Sequence, residues 1–259
     1  MKDAMQIAAT GMQTQQRLVE TIAHNMSNIN TQGFKRSKVS FSELVAGPGS
    51  VMSNATTEPS TGWSASLAGV RLQATTLSFA SGELRQTDQA LDLAILGPGF
   101  LEVDLGGSQR AFLHGGSLKV NEDGLLCGPG GQPLVPSIQV PADAERVMIQ
   151  ADGRIQAQTR QGNTHDIGKL EVTTFASPEF LEPMGDNLFL ATERSGKGQA
   201  HASPADANIT LKQGYLEAAN VKMVDEMVSL MLAQRAYEAN VKVIQAADEM
   251  QGLVNALRK

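Results

Sequence analysis

Near its carboxyl end the chain reads MVDEMVSLMLAQRAYEANVKVI, residues 223–244, and apolar side chains recur there in steps of three and four. Such steps place side chains on one face of an α-helix, with the spacing that lets two helices interlock. The face consists of Met223, Met227, Leu230, Gln234, Tyr237, Val241 and Ile244. The stretch therefore predicts a long amphipathic helix, from Gly214 or Leu216 to about Leu257, that packs against other helices.

The amino-terminal end shows the same spacing. Its repeating face consists of Met5, Ala8, Met12, Gln15, Val19, Ile22, Met26 and Ile29. The pattern predicts a helix from about Asp3 to Ile29, which the turn-forming run Asn28–Gly33 ends. Two such faces can close on each other or on other copies of the chain. The apolar residues predicted to form the assembly interface are Met5, Met12, Val19, Ile22, Met26, Ile29, Met223, Met227, Leu230, Tyr237, Val241 and Ile244.

The region between the helices reads as short strands separated by turns, such as Asn121–Gly124 and Gly128–Gly131. Regular short strands predict an antiparallel β domain, which we place at residues 75–212. Residues 46–74 are rich in Gly, Ser and Thr and predict an extended arm. Residues 1–45 and 213–259 form the terminal helical domain. The predicted fold class is α+β, with helices that pack as in a coiled coil and a central β domain.

The composition of the chain disfavours several classes of function. The 259 residues include 41% hydrophobic and 19% charged residues, which is enough for a packed core. A net charge of −6 and an aromatic content of 4% disfavour a nucleic-acid partner. The amino-terminal residues lack the apolar core of a cleavable signal peptide, and no apolar run is long enough to insert into a membrane. We expect a soluble protein, either cytosolic or exported without a cleaved signal.

The sequence contains no recognisable catalytic, cofactor-binding or metal-binding motif. The four histidines, His24, His114, His165 and His201, are scattered without metal-ligand spacing, and Cys127 is the single cysteine. The sequence has no phosphate-binding loop and no nucleophile elbow. We therefore predict no catalytic, cofactor or metal site, although carboxylates distant in sequence can converge in a fold, which leaves a hydrolase open.

The run from His24 to Arg36 resembles the amino-terminal signature of flagellar rod and hook proteins. The matching residues are Asn25, Asn28, Thr31, Gly33, Phe34 and Lys35. The runs Gly82–Thr87, Leu91–Phe100 and Gln213–Val221 are similar to the same family, so the resemblance covers nearly the whole chain. One departure is Phe112–Gly116, where relatives often have a Tyr-Thr-Arg run.

The resemblance implies a structural subunit of a helical polymer, whose terminal helices line an inner tube and whose β domain forms an outer layer. The implied partners are other copies of the chain, other rod proteins, the hook protein, the basal-body rings and the flagellar type III export apparatus. The implied location is the basal body, from the periplasm to the outer membrane. In its length and in residues 47–69, the chain most resembles the distal rod members of the family, which build a rigid drive shaft. The alternatives are a proximal rod or hook protein, a cell-wall hydrolase and a plain coiled-coil scaffold.

Overall fold

The computed structural model describes residues 2–46, 66–107, 109–160 and 162–257. Helix α1 spans Lys2–Ser27 and helix α2 spans Met223–Leu257. The strands between them are β1 (Ser37–Ala46), β2 (Ser66–Leu77), β3 (Leu84–Gln86), β4 (Asp92–Leu96), β5 (Gly99–Gly106), β6 (Gln109–Leu113), β7 (Gly116–Ser117), β8 (Lys119–Val120), β9 (Leu126–Cys127), β10 (Leu134–Val135), β11 (Ala144–Ile149), β12 (Arg154–Thr159), β13 (Thr164–Lys169), β14 (Val172–Thr174), β15 (Glu182–Gly185), β16 (Leu188–Leu190), β17 (Gln199–His201), β18 (Thr210–Gln213) and β19 (Tyr215–Glu217). Short 3-10 helices cover Pro178–Phe180 and Pro204–Ala207. The predicted α+β class is confirmed.

The chain divides into two compact units. Unit 1 contains Met1–Met26, Ser37–Thr75 and Met223–Lys259, and unit 2 contains Ser27–Arg36 and Thr76–Lys222. Residues 27–36 and 213–222, which the sequence assigned to the helical domain, thus belong to unit 2. Of the predicted arm at 46–74, residues 47–65 lie outside the described residues. Residues 66–74 belong to strand β2, which pairs with β1 in a two-stranded sheet.

Unit 1 combines the two helices with that sheet. Small and polar side chains are buried along both helices, among them Ala8 and Thr14 on α1 and Ala233 on α2. A Cβ added at Gly11 would lie 3.0 Å from Nδ2 of Asn240, so the helices approach closely at this point. Small residues allow such an approach because they hold no bulk between the two backbones.

Unit 2 is built on antiparallel strands. Its largest sheet has the order β15-β16-β6-β5-β14-β17, with β10 beside β5. Strand β5 is central, and its residues Phe100, Leu101 and Val103 are fully buried. The main core cluster is aliphatic and includes Leu93, Leu101, Val103, Leu113, Leu126, Leu134, Ile155, Leu170 and Val172. Apolar residues from many of these strands therefore pack into one aliphatic cluster in this unit.

A second cluster in unit 2 is aromatic. Phe100, Phe112, Phe175 and Phe189 pack with Leu77 and Leu181. The rings of Phe112 and Phe175 meet edge to face at 4.7 Å between centroids, and those of Phe100 and Phe175 at 5.6 Å. Edge-to-face contact directs the positive ring edge at the negative ring face, which adds to the free energy of burial.

The two edge strands of the largest sheet are poorly suited to pair with a further strand. Strand β15 is exposed along its whole length, contains Pro183 and shifts register between Pro183 and Gly185. The opposite edge strand, β17, has three residues. Proline lacks the N–H that a further strand would need, and a register shift bends the edge.

Helix α2 begins later than the sequence predicted. The pattern suggested a start at Gly214 or Leu216, but Tyr215–Glu217 form β19, which pairs antiparallel with β3. Hydrogen bonds to a distant strand therefore satisfy this backbone, and the helix starts at Met223.

Candidate assembly interface

The first turns of α2 expose apolar side chains on the side away from its buried face. We call this surface the α2 patch, and it consists of Met223, Val224, Met227, Val228, Met231 and Leu232. Each of these residues is between 46% and 72% exposed. On the opposite side of the same turns, Glu226 and Ala233 are buried. An exposed apolar patch of this kind is a candidate interaction surface.

The predicted interface residues of α2 divide between two environments. Met223, Met227 and Tyr237 are exposed, whereas Leu230, Val241 and Ile244 are half-buried. Val224, Val228, Met231 and Leu232 are also exposed, and the sequence analysis did not include them. Their signal was present, because apolar residues in the stretch 223–232 cover a wider arc of the helix than steps of three and four select.

The predicted residues near the amino-terminal end are all buried or half-buried in the single chain. Ile22 is buried, and Met5, Met12, Val19, Met26 and Ile29 are half-buried. Beside α1, residues Thr10, Thr14 and Arg17 form a groove of about 590 Å³ with Val70 and Leu72 of β2. Val70 and Leu72 are exposed, so unit 1 carries a second partly apolar surface. Whether the predicted residues contact other copies remains a prediction.

The motif residues near the end of α1 have structural partners. Asn25 is buried, its Nδ2 donates to the Ser37 carbonyl at 3.0 Å, and its Oδ1 accepts from the Ser37 N–H at 3.0 Å. One side-chain amide thus satisfies both backbone groups of the first residue of β1. Only a side chain with both a donor and an acceptor can do this.

The next motif residues form a turn in unit 2. The Thr31 N–H donates to the Asn28 carbonyl at 3.0 Å, and the Phe34 N–H donates to the Thr31 carbonyl at 3.3 Å. Gly33 has φ +67°, a left-handed conformation that favours glycine. Its N–H donates to the Glu217 carbonyl at 2.7 Å, which fastens the turn to β19.

The last motif residue, Lys35, is buried, and its ammonium group forms an ion pair. Its Nζ lies 2.8 Å from both Oε1 and Oε2 of Glu217. The Gly82 N–H donates to Oε1 of the same carboxylate at 2.6 Å. Burial lowers the pKa of Lys35, and the charge and hydrogen bonds of Glu217 oppose that shift. The ammonium and the carboxylate compensate each other in a place where neither would be stable alone.

His114 adds a third titratable group to this site. Its Nδ1 lies 2.7 Å from the Gly99 carbonyl oxygen, and its Nε2 lies 3.5 Å from Oε2 of Glu217. Burial, and then repulsion from Lys35, lower the pKa of His114 to about 4, although Glu217 and the Gly99 bond oppose the shift. The ring is therefore neutral at pH 7.

Asn220 forms hydrogen bonds with backbone groups near the Lys35–Glu217 pair. Its Nδ2 donates to the carbonyls of Ser78 at 2.6 Å and Ala80 at 2.9 Å, and its Oδ1 accepts from the Arg36 N–H at 2.7 Å. Glu217 and Asn220 lie in a run that is similar to the family and His114 in a run that departs from it, and neither run predicted that these residues meet Lys35 and its neighbours. No local pattern signals a contact between residues this far apart in the chain.

The described residues thus include exposed apolar surfaces in unit 1 and a buried ion pair, Lys35 with Glu217, in unit 2. Among the residues that the structure describes, no group of three or more His, Cys, Asp or Glu side chains could hold a metal ion. Neither helix, over its described length, is long and apolar enough to cross a bilayer.

Comparisons with known proteins point to one family. Residues 5–35 match the model "Flagella basal body rod protein", residues 94–157 match "Flagellar hook protein FlgE/F/G D1 domain", and residues 212–257 match "Flagellar basal body rod FlgEFG protein C-terminal". The chain is 36% identical to the flagellar basal-body rod protein FlgG of Agrobacterium fabrum, over 97% of this chain and 98% of that protein. It is 33% identical to FlgG of Borreliella burgdorferi over the full length of both chains. It is 31% identical to FlgG of Bacillus subtilis, over 96% of this chain and 97% of that protein.

Proposed function

The chain belongs to the flagellar basal-body rod protein family, and from this premise we propose that it is a structural subunit of the distal rod. The family is one of structural proteins rather than enzymes, and it locates the chain in the flagellar basal body. The subunit polymerises helically into a rigid hollow shaft that transmits torque from the motor to the hook.

The observation that carries this proposal is the α2 patch. Removing its side chains from water is favourable in proportion to the apolar area covered. One face of α2 is buried in the single chain, so the exposed face is available to another copy. A contact between two different surfaces of identical chains repeats without closing and builds a helical filament. The terminal helices then pack as a coiled-coil-like inner tube.

The remaining parts of the proposal rest on the family. The partners are other rod proteins, the hook protein and the basal-body rings, and the rod spans from the periplasm to the outer membrane. The chain reaches that location through the flagellar export apparatus. Matches to rod proteins that extend over nearly the whole chain favour a rod subunit over a hook protein.

Val228→Asp tests the proposal. Val228 is 46% exposed in the single subunit, so the monomer should fold, but assembly would bury an unpaired carboxylate. Cells that carry this variant as their only copy should build no distal rod, as seen by electron microscopy of isolated basal bodies. Val120→Asp is the matched control, because Val120 is 40% exposed on β8 in unit 2. Normal rods in the Val228→Asp cells would refute the assignment of the α2 patch.

A further inference from the structure

We propose that His114, Glu217 and Lys35 form an acid-sensitive latch inside unit 2. At neutral pH, Lys35 holds the Glu217 carboxylate, and this pair fastens residues 27–36 to strand β19. When His114 gains a proton, it competes for the same carboxylate and loosens that attachment. The latch concerns the stability of the single subunit and does not depend on polymerisation.

The geometry of the imidazole ring supports the latch. Both ring nitrogens face oxygen atoms, since Nδ1 lies 2.7 Å from the Gly99 oxygen and Nε2 lies 3.5 Å from Oε2 of Glu217. A neutral ring carries one proton, which we assign to Nδ1 because that contact has hydrogen-bond length. The Nε2 lone pair then points towards the carboxylate, and the separation of 3.5 Å fits the absence of a proton between them. A proton on Nε2 would turn this contact into an attraction.

The surroundings make that proton costly in the folded chain. The charged groups that act on His114 are Glu217 from β19 and Lys35 from the segment before β1. The ring also lies against Phe100 and Phe79, with centroids 5.1 and 5.9 Å away. A protonated His114 would bring a second cation beside Lys35 in an apolar setting, with one carboxylate shared between two cations. The site relieves this excess charge by releasing Lys35 or by opening to water.

The direction of the pH effect follows from linkage. A histidine in the unfolded chain takes up its proton near pH 6.5, whereas folded His114 does so near pH 4. Between these values the unfolded chain binds more protons, so stability is full above pH 6.5 and falls as the pH is lowered towards 4. Between pH 7.5 and 5.0, this one group should lower the folding equilibrium constant about 30-fold.

Urea unfolding of the dilute full-length chain at pH 7.5 and 5.0 tests this, with circular dichroism reporting the loss of β structure. His114→Gln keeps a side-chain donor for Gly99 but cannot gain a proton. Between the two pH values, the factor by which its folding equilibrium constant falls should be about 30 times smaller than the factor for the wild type. His165→Gln, at an exposed position on β13, is the matched control and should lose as much as the wild type. Titrating groups remote from His114 contribute equally to all three proteins and cancel.

A second measurement needs no variant. The imidazole proton resonances of the wild-type chain, followed by NMR from pH 8 to pH 4.5, should show no titration of His114 above pH 5. A midpoint near pH 6.5 for His114 in the folded chain would overturn the proposal. The same holds if His114→Gln and the wild type lose equal stability on acidification. Neither outcome bears on whether the chain assembles, which the Val228→Asp experiment measures separately.

Discussion

Replacing Lys35 by methionine tests how strongly the buried ion pair anchors the motif turn in unit 2. Methionine keeps most of the length of the lysine stem but removes the ammonium group and both 2.8 Å contacts with Glu217. The side chains of Lys35 and Glu217 are 1% and 5% exposed, so water cannot replace the lost partner without structural change. The substitution therefore leaves a carboxylate buried without its counter-ion.

The magnitude follows from that uncompensated charge. Removing one partner of a buried ion pair costs about 3–5 kcal/mol, because the remaining ion loses its compensation. Glu217 keeps the hydrogen bond from the Gly82 N–H at 2.6 Å, which places the expected loss towards the lower end of that range. A domain is stable by about 5–15 kcal/mol, so Lys35→Met should remove a large fraction of the stability of unit 2.

The assay is urea unfolding at pH 7.5, followed by circular dichroism. Lys119→Met is the matched control, since Lys119 is exposed on β8 and contacts the Pro129 carbonyl at 3.1 Å, and it should change stability by less than about 0.5 kcal/mol. The double variant Lys35→Met/Glu217→Gln should be more stable than Lys35→Met alone, because it removes the unpaired charge. A loss below about 1 kcal/mol for Lys35→Met would contradict an anchoring role for the ion pair, as would purely additive effects in the double variant.

Two further predictions concern close packing around the motif. Asn25→Ala leaves the N–H and carbonyl of Ser37 without their side-chain partner and should cost about 2–4 kcal/mol, measured as a lower melting temperature by calorimetry, whereas Asn30→Ala at an exposed position should leave it unchanged. An unchanged melting temperature for Asn25→Ala would contradict this role. Gly82→Ala would place a Cβ against the Ala218 carbonyl oxygen and should cost about 1–3 kcal/mol, whereas Gly252→Ala, with open space around it in α2, should gain about 1 kcal/mol. Equal effects of the two glycine substitutions would contradict the packing argument.

The sequence predicted both helices because their apolar spacing is a local property. It placed the start of α2 too early because Tyr215–Glu217 pair with Leu84–Gln86, and no pattern within residues 213–222 shows that partner. A strand of three residues is too short to display its own alternation. Tertiary pairing therefore decided the boundary of the helix.

The same limit applies to the assembly surface. Periodicity selected Met223, Met227 and Tyr237, which are exposed, together with Leu230 and Ile244, which are half-buried. The first turns of α2 are apolar on several faces, and spacing alone does not show which face the subunit covers itself. That choice depends on small residues such as Gly11, where a Cβ would come within 3.0 Å of the Asn240 side chain.

The buried ionic site was the least predictable part. The resemblance to a known signature identified Lys35, but its partner Glu217 lies 182 residues away along the chain. His114 appeared only as a departure from the pattern of relatives. Charged residues are common on surfaces, so sequence alone gives little reason to place these three groups together in a core.

The protected edges of the largest sheet have a consequence for the pool of subunits that await assembly. A protein that joins copies of itself through helices, as we propose, gains nothing from a second interaction surface, and an open sheet edge can pair with a strand of another chain. Pro183 and the register shift beside it blunt one edge, and β17 ends the other after three residues. Unassembled chains are therefore less prone to pair through the edges of this sheet, which in the proposed assembly leaves the helical surfaces to receive each new copy.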